Sequence, residues 1–458
     1  MMKKFFSLLL AVTTSITLFA GCGRTNNSAS GNASGNASGN ASGNASGNAK
    51  EVDTKKEDSN ELSVYAWDKN FNIPALKAAE KAYQKKNPKF KLKIIRLPQA
   101  TSVADVISKA GTANDYSKLP DIVLFEDHYI NRYVHDYKDA WDDINDVKIN
   151  WKDFNQEKIS YSTIDNKHYG VPVDNGTVIC AYRTDLLKAA GYTIDDLTGI
   201  TWEQFDEIGK KVYDYTGKYL LSIDGDSNDL PYIMMQAEGA SEFKDGKPYF
   251  VDNKKMVDIV NVIVKLVQDN VLYLADDWKG YTKGSIGGDM VAGVINGNWI
   301  MSSMRDVKKN SGKWEITTLP TLSGKEGYAS NGGSSLYITS NCKNISLAKD
   351  FLAYTFGGGD GAKETYDNAL KDGGVITTNI TCGKSDAYNE GVPYFNNQPV
   401  YKQIVEMGSK ITPVEQSDYF STAVKQVSSA ISDILDGTDV KSALKNAQDQ
   451  VNFTMGNE

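Results

Sequence analysis

The chain has 458 residues, 40% hydrophobic and 24% charged, which is enough apolar material for more than one core and too long for a single one. A formal net charge of -8 and a pI near 5.2 argue against a nucleic-acid partner, because releasing counterions from phosphate needs a basic stripe and the sequence has none. Its four cysteines, Cys22, Cys180, Cys342 and Cys382, contain no CxxC, so neither a zinc site nor a thioredoxin-type redox pair is suggested. Cys342 and Cys382 could pair in an exported protein; with three cysteines beyond Cys22, at least one stays free.

Residues 1–21 open with Met-Met-Lys-Lys and continue into an apolar segment over 5–20, the charged n-region and h-region of an export signal. An uncleaved anchor would need about 20 apolar residues, and this run is shorter and diluted by Thr13, Thr14, Ser15 and Thr17. Leu18-Phe19-Ala20-Gly21-Cys22 resembles a bacterial lipobox, with Phe19 where leucine is usual. The resemblance implies that Cys22 carries the lipid (palmitate among its acyl groups), becomes the mature N-terminus and holds the protein at the outer face of the bacterial cytoplasmic membrane. Over 22–60 the only large apolar residue is Val52, and Gly-Asn-Ala-Ser recurs from Gly31. Such a tract cannot form a core and reads as a disordered, flexible tether.

Folded sequence begins near Leu62, where Leu-Ser-Val-Tyr-Ala alternates with period two and runs into Trp67-Asp68, predicting a strand. Asn72 and Pro74 open a helix with the stripe Ile73, Leu76, Ala79 and Tyr83, closed by Asn87-Pro88. A strand over 92–97, a helix over 103–113 and a strand over 121–125 complete a βαβαβ unit. Right-handed crossovers make its strands parallel, so their carboxyl ends share one edge, where open α/β sheets bind ligands. Trp67-Asp68 and Glu126-Asp127 follow two of those strands. Each carboxylate taken singly is equally a helix cap or a loop end; their convergence points to a site.

His168-Tyr-Gly-Val-Pro-Val-Asp174 predicts a short extended crossing into Asn175-Gly176 and a strand over 178–182, where the chain changes domain. Thr201 with Gln204 forms a capping box for a helix whose stripe Trp202, Phe205, Ile208 and Val212 is core and whose end is Gly217. The run 224–229 begins like a calcium loop, but Asp229 stands at the glycine position and Met235 at the bidentate glutamate position, against calcium. Tyr232 and Gln236 are four apart, on one face if helical. In 290–304, Met290, Val291, Val294 and Ile295 predict a buried element broken at Gly297-Asn298, which places Trp299 at its end. That stretch alone favours Trp299 as a core anchor over a stacking platform.

The sequence has no HExxH, no GxSxG, and no Walker or dinucleotide glycine pattern. Glycoside hydrolysis needs only two carboxylates, so a surface-anchored hydrolase using Glu126 or Asp127 with Asp174 stays open. In their order, the export signal, Trp67-Asp68, Tyr169-Gly-Val-Pro172, Asp174, Asn296-Gly-Asn-Trp299 and Gly332-Gly-Ser-Ser-Leu-Tyr-Ile338 make the chain similar to the extracellular carbohydrate-binding lipoproteins of bacterial ABC importers, the family that includes maltose-binding protein.

The resemblance implies an α/β, two-lobed periplasmic-binding-protein-like fold with the ligand cleft between the lobes. Lobe 1 would comprise 61–172 and 332–374, and lobe 2 would comprise 173–331 and 375–458. It implies a monomeric, non-enzymatic sugar or oligosaccharide receptor, without cofactor or metal, that delivers to the transmembrane subunits of a permease. Carried over, Asp174 contacts sugar hydroxyls, Tyr232 is an aromatic of the second lobe, and Trp299 becomes the stacking platform, reversing the reading of its own stretch. Asn175, Gln236, Gly332 and Gly333 complete the expected contacts. Tyr419 is the candidate C-terminal aromatic, with Phe420 beside it and Ser421 at the aligned place. A receptor of the same fold for polyamines or another polar solute is the remaining alternative.

Overall fold

A computed structural model describes residues 60–225 and 228–456. The export signal, Cys22, the tether up to residue 59, and Asp226 and Ser227 of the calcium-like run lie outside the described residues.

The alternation at Leu62 becomes the strand Glu61–Ala66, which buries Leu62, Val64 and Ala66 completely. It pairs in parallel with Lys91–Arg96 on one side and Ile122–Glu126 on the other, as the βαβαβ reading requires. The intervening helices are Asn72–Tyr83 and Ala100–Ala113, the second starting three residues before its expected position. Antiparallel to Ile122–Glu126 runs Ser334–Thr339, which also pairs with Gly170–Pro172 and Trp141–Asp142. Every residue of Ser334–Thr339 is buried, because the sheet is covered on both faces. One covering layer contains Asn72–Tyr83, Ile345–Tyr354 and Ala362–Gly373; the other contains Ala100–Ala113 and Asp127–Asp136.

A separate core is built on Val178–Arg183, flanked antiparallel by Gly293–Gly297 and Trp314–Thr317. Leu221–Asp224 and Leu272–Ala275 add a parallel pair. The Trp202–Thr216 helix has the expected capping box, Gly217 at φ 66, and Trp202, Phe205, Ile208 and Val212 buried. Two C-terminal helices, Phe420–Leu435 and Val440–Gly456, pack into this same core.

The chain passes from one core to the other between Val173 and Val178, between Ala329 and Leu336, and at Val375 and Ile376. The first two passages are stitched together: Thr177 bridges Ser330, and Asn331 N–H donates to Gly176 O at 2.8 Å. Gly176 has φ 60, and a Cβ there would lie 2.4 Å from the Gly332 carbonyl oxygen, so both dihedral and space demand glycine.

One sequence expectation changes. The strand before Trp299 runs through Gly293–Gly297, instead of ending before Gly297. Asn296 is tolerated inside it because its amide is satisfied by Tyr281 Oη at 3.2 Å and Asn331 Nδ2 at 2.9 Å. Cys342 and Cys382 are each buried and unpaired, as is Cys180.

Candidate functional site

A cavity of about 610 Å³ lies where the two cores face each other across the passages, within the range of small-molecule sites. One wall comes from the carboxyl ends of the parallel strands. Trp67 and Asp68 follow Glu61–Ala66, and Glu126 ends its own strand. The turn after Asp68 is fixed locally: Asp68 N–H donates to Asn72 Oδ1 at 3.1 Å, and Asp68 Oδ1 accepts from Asn70 N–H at 2.7 Å.

The facing wall is aromatic. Trp299 is part-buried, and its Nε1–H donates to Asn331 O at 2.9 Å, so the indole is pinned along one edge. Glycines make room for it: a Cβ at Gly297 would lie 2.3 Å from Trp299 Nε1, and one at Gly332 would lie 3.0 Å away. Trp278, 49% exposed, sits 5.6 Å from Trp299 with ring planes 44° apart, forming an aromatic corner. It lies two residues before the π-helix Gly280–Ile286, a rare geometry that recurs at functional sites.

The passages form the floor through Asp174, Asn331, Gly332, Gly333 and Ser334. Asp174 Oδ1 accepts from Ser334 N–H at 2.9 Å. Burial, opposed by Lys158 and reinforced by Asp127, pushes Asp174 up to about 7. Burial and the carboxylates of Asp127, Asp174 and Asp229 push Glu126 to about 7, and burial raises Asp229 to about 6 against a bond from Asn331. Burial, then Lys158, depress His128 to about 3, so its ring is neutral. The cavity wall contains four carboxylates and no lysine or arginine. Among the described residues, no group of three or more His, Cys, Asp or Glu side chains is arranged to hold a metal ion.

The sequence of residues 78–394 matches the model of the bacterial extracellular solute-binding proteins. The chain belongs to that family. The lactose-binding protein of Rhizobium radiobacter is 28% identical over 397 residues, 86% of this chain and 92% of that one. The arabinooligosaccharide-binding protein of Bacillus subtilis is 23% identical over 291 residues, 62% and 64% of the two chains. The ABC transporter associated binding protein of B. animalis subsp. lactis Bl-04, solved with β-1,6-galactobiose, superposes with a TM-score of 0.68 at 21% identity, over 86% of this chain and 96% of the other. The fold is accordingly that of a two-lobed solute-binding protein, with the cavity between the lobes.

Of the residues expected to contact ligand in this solute-binding protein, Trp67, Asp68, Glu126, Asp174, Trp299, Gly332 and Gly333 line the cavity. Five others do not. Asp127 is completely buried, ion-paired with Lys158 and bonded by Ser335 Oγ at 2.6 Å, so its carboxylate is occupied. Burial alone would drive the Lys158 ammonium toward neutrality; Asp127, Glu157 and Asp174 hold it charged. Asn175 Oδ1 accepts from Thr177 N–H and Asn298 Nδ2, both at 2.9 Å, which commits it to the passage. Tyr232 and Gln236 do share the Leu230–Ala237 helix, but neither lines the cavity. Tyr232 Oη bonds Tyr161 Oη at 2.7 Å, and Gln236 Oε1 accepts from Ser330 N–H at 2.6 Å. Tyr419 lies outside the cavity wall with the Arg132 guanidinium over its ring at 5.8 Å. Sequence reasoning missed Trp278, Asp229 and Tyr129 as wall residues. For Trp278 a signal existed: like Trp67-Asp68, it directly follows a strand, Leu272–Ala275, and two aspartates.

Proposed function

We propose that this chain captures a neutral sugar or oligosaccharide outside the cytoplasm and delivers it to the transmembrane subunits of an ABC importer. The observation that carries the reading is the wall chemistry: Trp67 on one side, the Trp299–Trp278 corner on the other, and carboxylates with amides and no cation between them. Sugars offer C–H faces to flat rings and hydroxyl edges to charged acceptors, which is this combination. The names of the lactose-binding and arabinooligosaccharide-binding relatives support the same class.

In this reading Trp67, Asp68, Glu126, Asp174, Trp299, Gly332 and Gly333 hold the ligand, joined by Trp278 and Asp229. Lobe 1 is 61–172 and 332–374, and lobe 2 is 173–331 and 375–458; they close about the passages, and the protein acts as a monomer without catalysis. Cys22 carries the lipid, and the tract after it gives the lobes reach from the membrane. The test is calorimetric titration with lactose, arabino-oligosaccharides and β-1,6-galactobiose, alongside an assay for new reducing ends. Saturable binding without turnover is expected. Release of reducing ends would transfer the site to a hydrolase, and binding of polyamines in preference to every sugar would overturn the substrate class.

A further inference from the structure

A second cavity of about 370 Å³ opens beside the first, between the Ala100–Ala113 and Asp127–Asp136 helices and the start of Phe420–Leu435. The two share Ala100, Thr101, Glu126, His128 and Tyr129 as common wall. Together they reach the upper end of the ~300–1,000 Å³ typical of small-molecule sites. We propose that this side chamber is a second sugar subsite, so that the ligand is an oligosaccharide whose chain turns past Tyr129 and places a terminal unit or branch between these helices. The proposal rests on the sugar reading above.

Three observations carry it. Tyr129 remains 39% exposed although Phe420 stands 6.0 Å from its ring, so an aromatic surface faces the opening where the two cavities meet. Beyond it the chamber combines the Tyr133 ring with the Asp105 carboxylate and the Ser108 hydroxyl, again flat apolar surface flanked by hydroxyl-binding groups. Its one arginine is engaged in place: Arg132 Nε lies 3.1 Å from Asp136 Oδ2 and its guanidinium covers Tyr419, so the chamber is not built for an anionic ligand and the exposed Asp105 carboxylate remains as a hydroxyl acceptor.

The test fills the chamber without touching the main cavity. Ser108 and Asp105 line only the chamber, and Asp105 is exposed, so Ser108→Trp and Asp105→Trp are two independent fillers. Wild type and both variants of the full chain are titrated with matched di- and tetrasaccharides of the galactose, arabinose and glucose series, with thermal melts checking the fold. In the series that binds, each filler is expected to weaken the tetrasaccharide tenfold or more and leave the disaccharide within twofold. Equal weakening of both lengths, or no change in either, overturns the chamber. Wild type binding no member of the panel overturns the sugar reading and the chamber with it.

Discussion

Trp299 contributes to the ligand wall and to the second core, and the balance is set by its surroundings. Its indole is pinned by Asn331 O yet part-exposed to the cavity. Trp299→Ala is therefore expected to weaken sugar binding by roughly ten- to a hundredfold, with a stability loss below the ~3–5 kcal/mol of a fully buried aromatic. Affinity and thermal unfolding of one preparation decide; unchanged affinity with a collapsed melting temperature would make it a core anchor. The raised carboxylates give a second prediction. Glu126 and Asp174 at about 7 in the fold lie above their unfolded values near ~4. The folded state therefore holds more protons, and stability falls as pH rises through the folded values. Glu242, pushed to about 8 by burial and Asp229, acts in the same sense. His128, at about 3, works oppositely but only below its unfolded value near ~6.5. The ligand-free protein should thus melt several degrees lower at pH 8 than at pH 6.5, and Glu126→Gln should flatten that slope; a melting temperature rising over this window would refute the assignment. At this scale the sequence exposed Trp67 and Trp299 because strand ends and glycine breaks are local signals. It could not expose the burial of Asp127, whose partner Lys158 lies on a different helix.

Gly333 shows how an element is fixed by a contact that local pattern does not contain. It has φ 92, and a Cβ there would lie 2.0 Å from Lys158 Nζ and 3.1 Å from Asp127 Oδ2. Gly333→Ala combines backbone strain of about 1–3 kcal/mol with displacement of a buried ion pair, so a total loss above ~3 kcal/mol is expected. Gly217 supplies the control: it also has positive φ, 66, but nothing lies within 4 Å of its Cβ position, so Gly217→Ala should cost only about 1 kcal/mol. Chemical denaturation of both variants checks the difference, and equal losses would mean that dihedral strain alone matters. The same contrast explains which elements were readable. The Trp202–Thr216 helix carries its own cap, stripe and stop, and the first three strands alternate or run apolar between breakers. That Ser334–Thr339 would join the first sheet antiparallel was not readable, since its partner strand Ile122–Glu126 lies about two hundred residues earlier.

For the whole molecule, the order of motifs made a two-lobed receptor readable and the resemblance assigned 375–458 to lobe 2, whereas the individual long-range bonds made by that segment were not readable. Asn228 N–H donates to Ser428 Oγ at 3.0 Å across 200 residues. Contacts that join the two cores contribute to the free energy of lobe closure, and two of them differ in kind. His135 Nδ1 lies 2.8 Å from Asp418 Oδ2, with the two side chains 36% and 28% exposed. Water and salt screen such a pair, which limits it to about 0.2–1 kcal/mol. Tyr232 Oη is instead buried, bonding Tyr161 Oη at 2.7 Å and His128 Nε2 at 3.3 Å. Removing that hydroxyl costs about 1–2 kcal/mol, at the lower end because Tyr161 and His128 keep their own bond at 2.9 Å. Neither Tyr232 nor Asp418 lines the main cavity, and Asp418 lines only the side chamber, so for a disaccharide held in the main cavity each acts on affinity through closure and not through ligand contact. Tyr232→Phe should therefore weaken disaccharide binding about five- to thirtyfold and Asp418→Asn less than about fivefold. Solution scattering with saturating sugar should show both variants reaching the compact form of the wild type. If Asp418→Asn proved the more damaging at every ionic strength, closure would be controlled at the exposed rim instead of by the buried hydroxyl network.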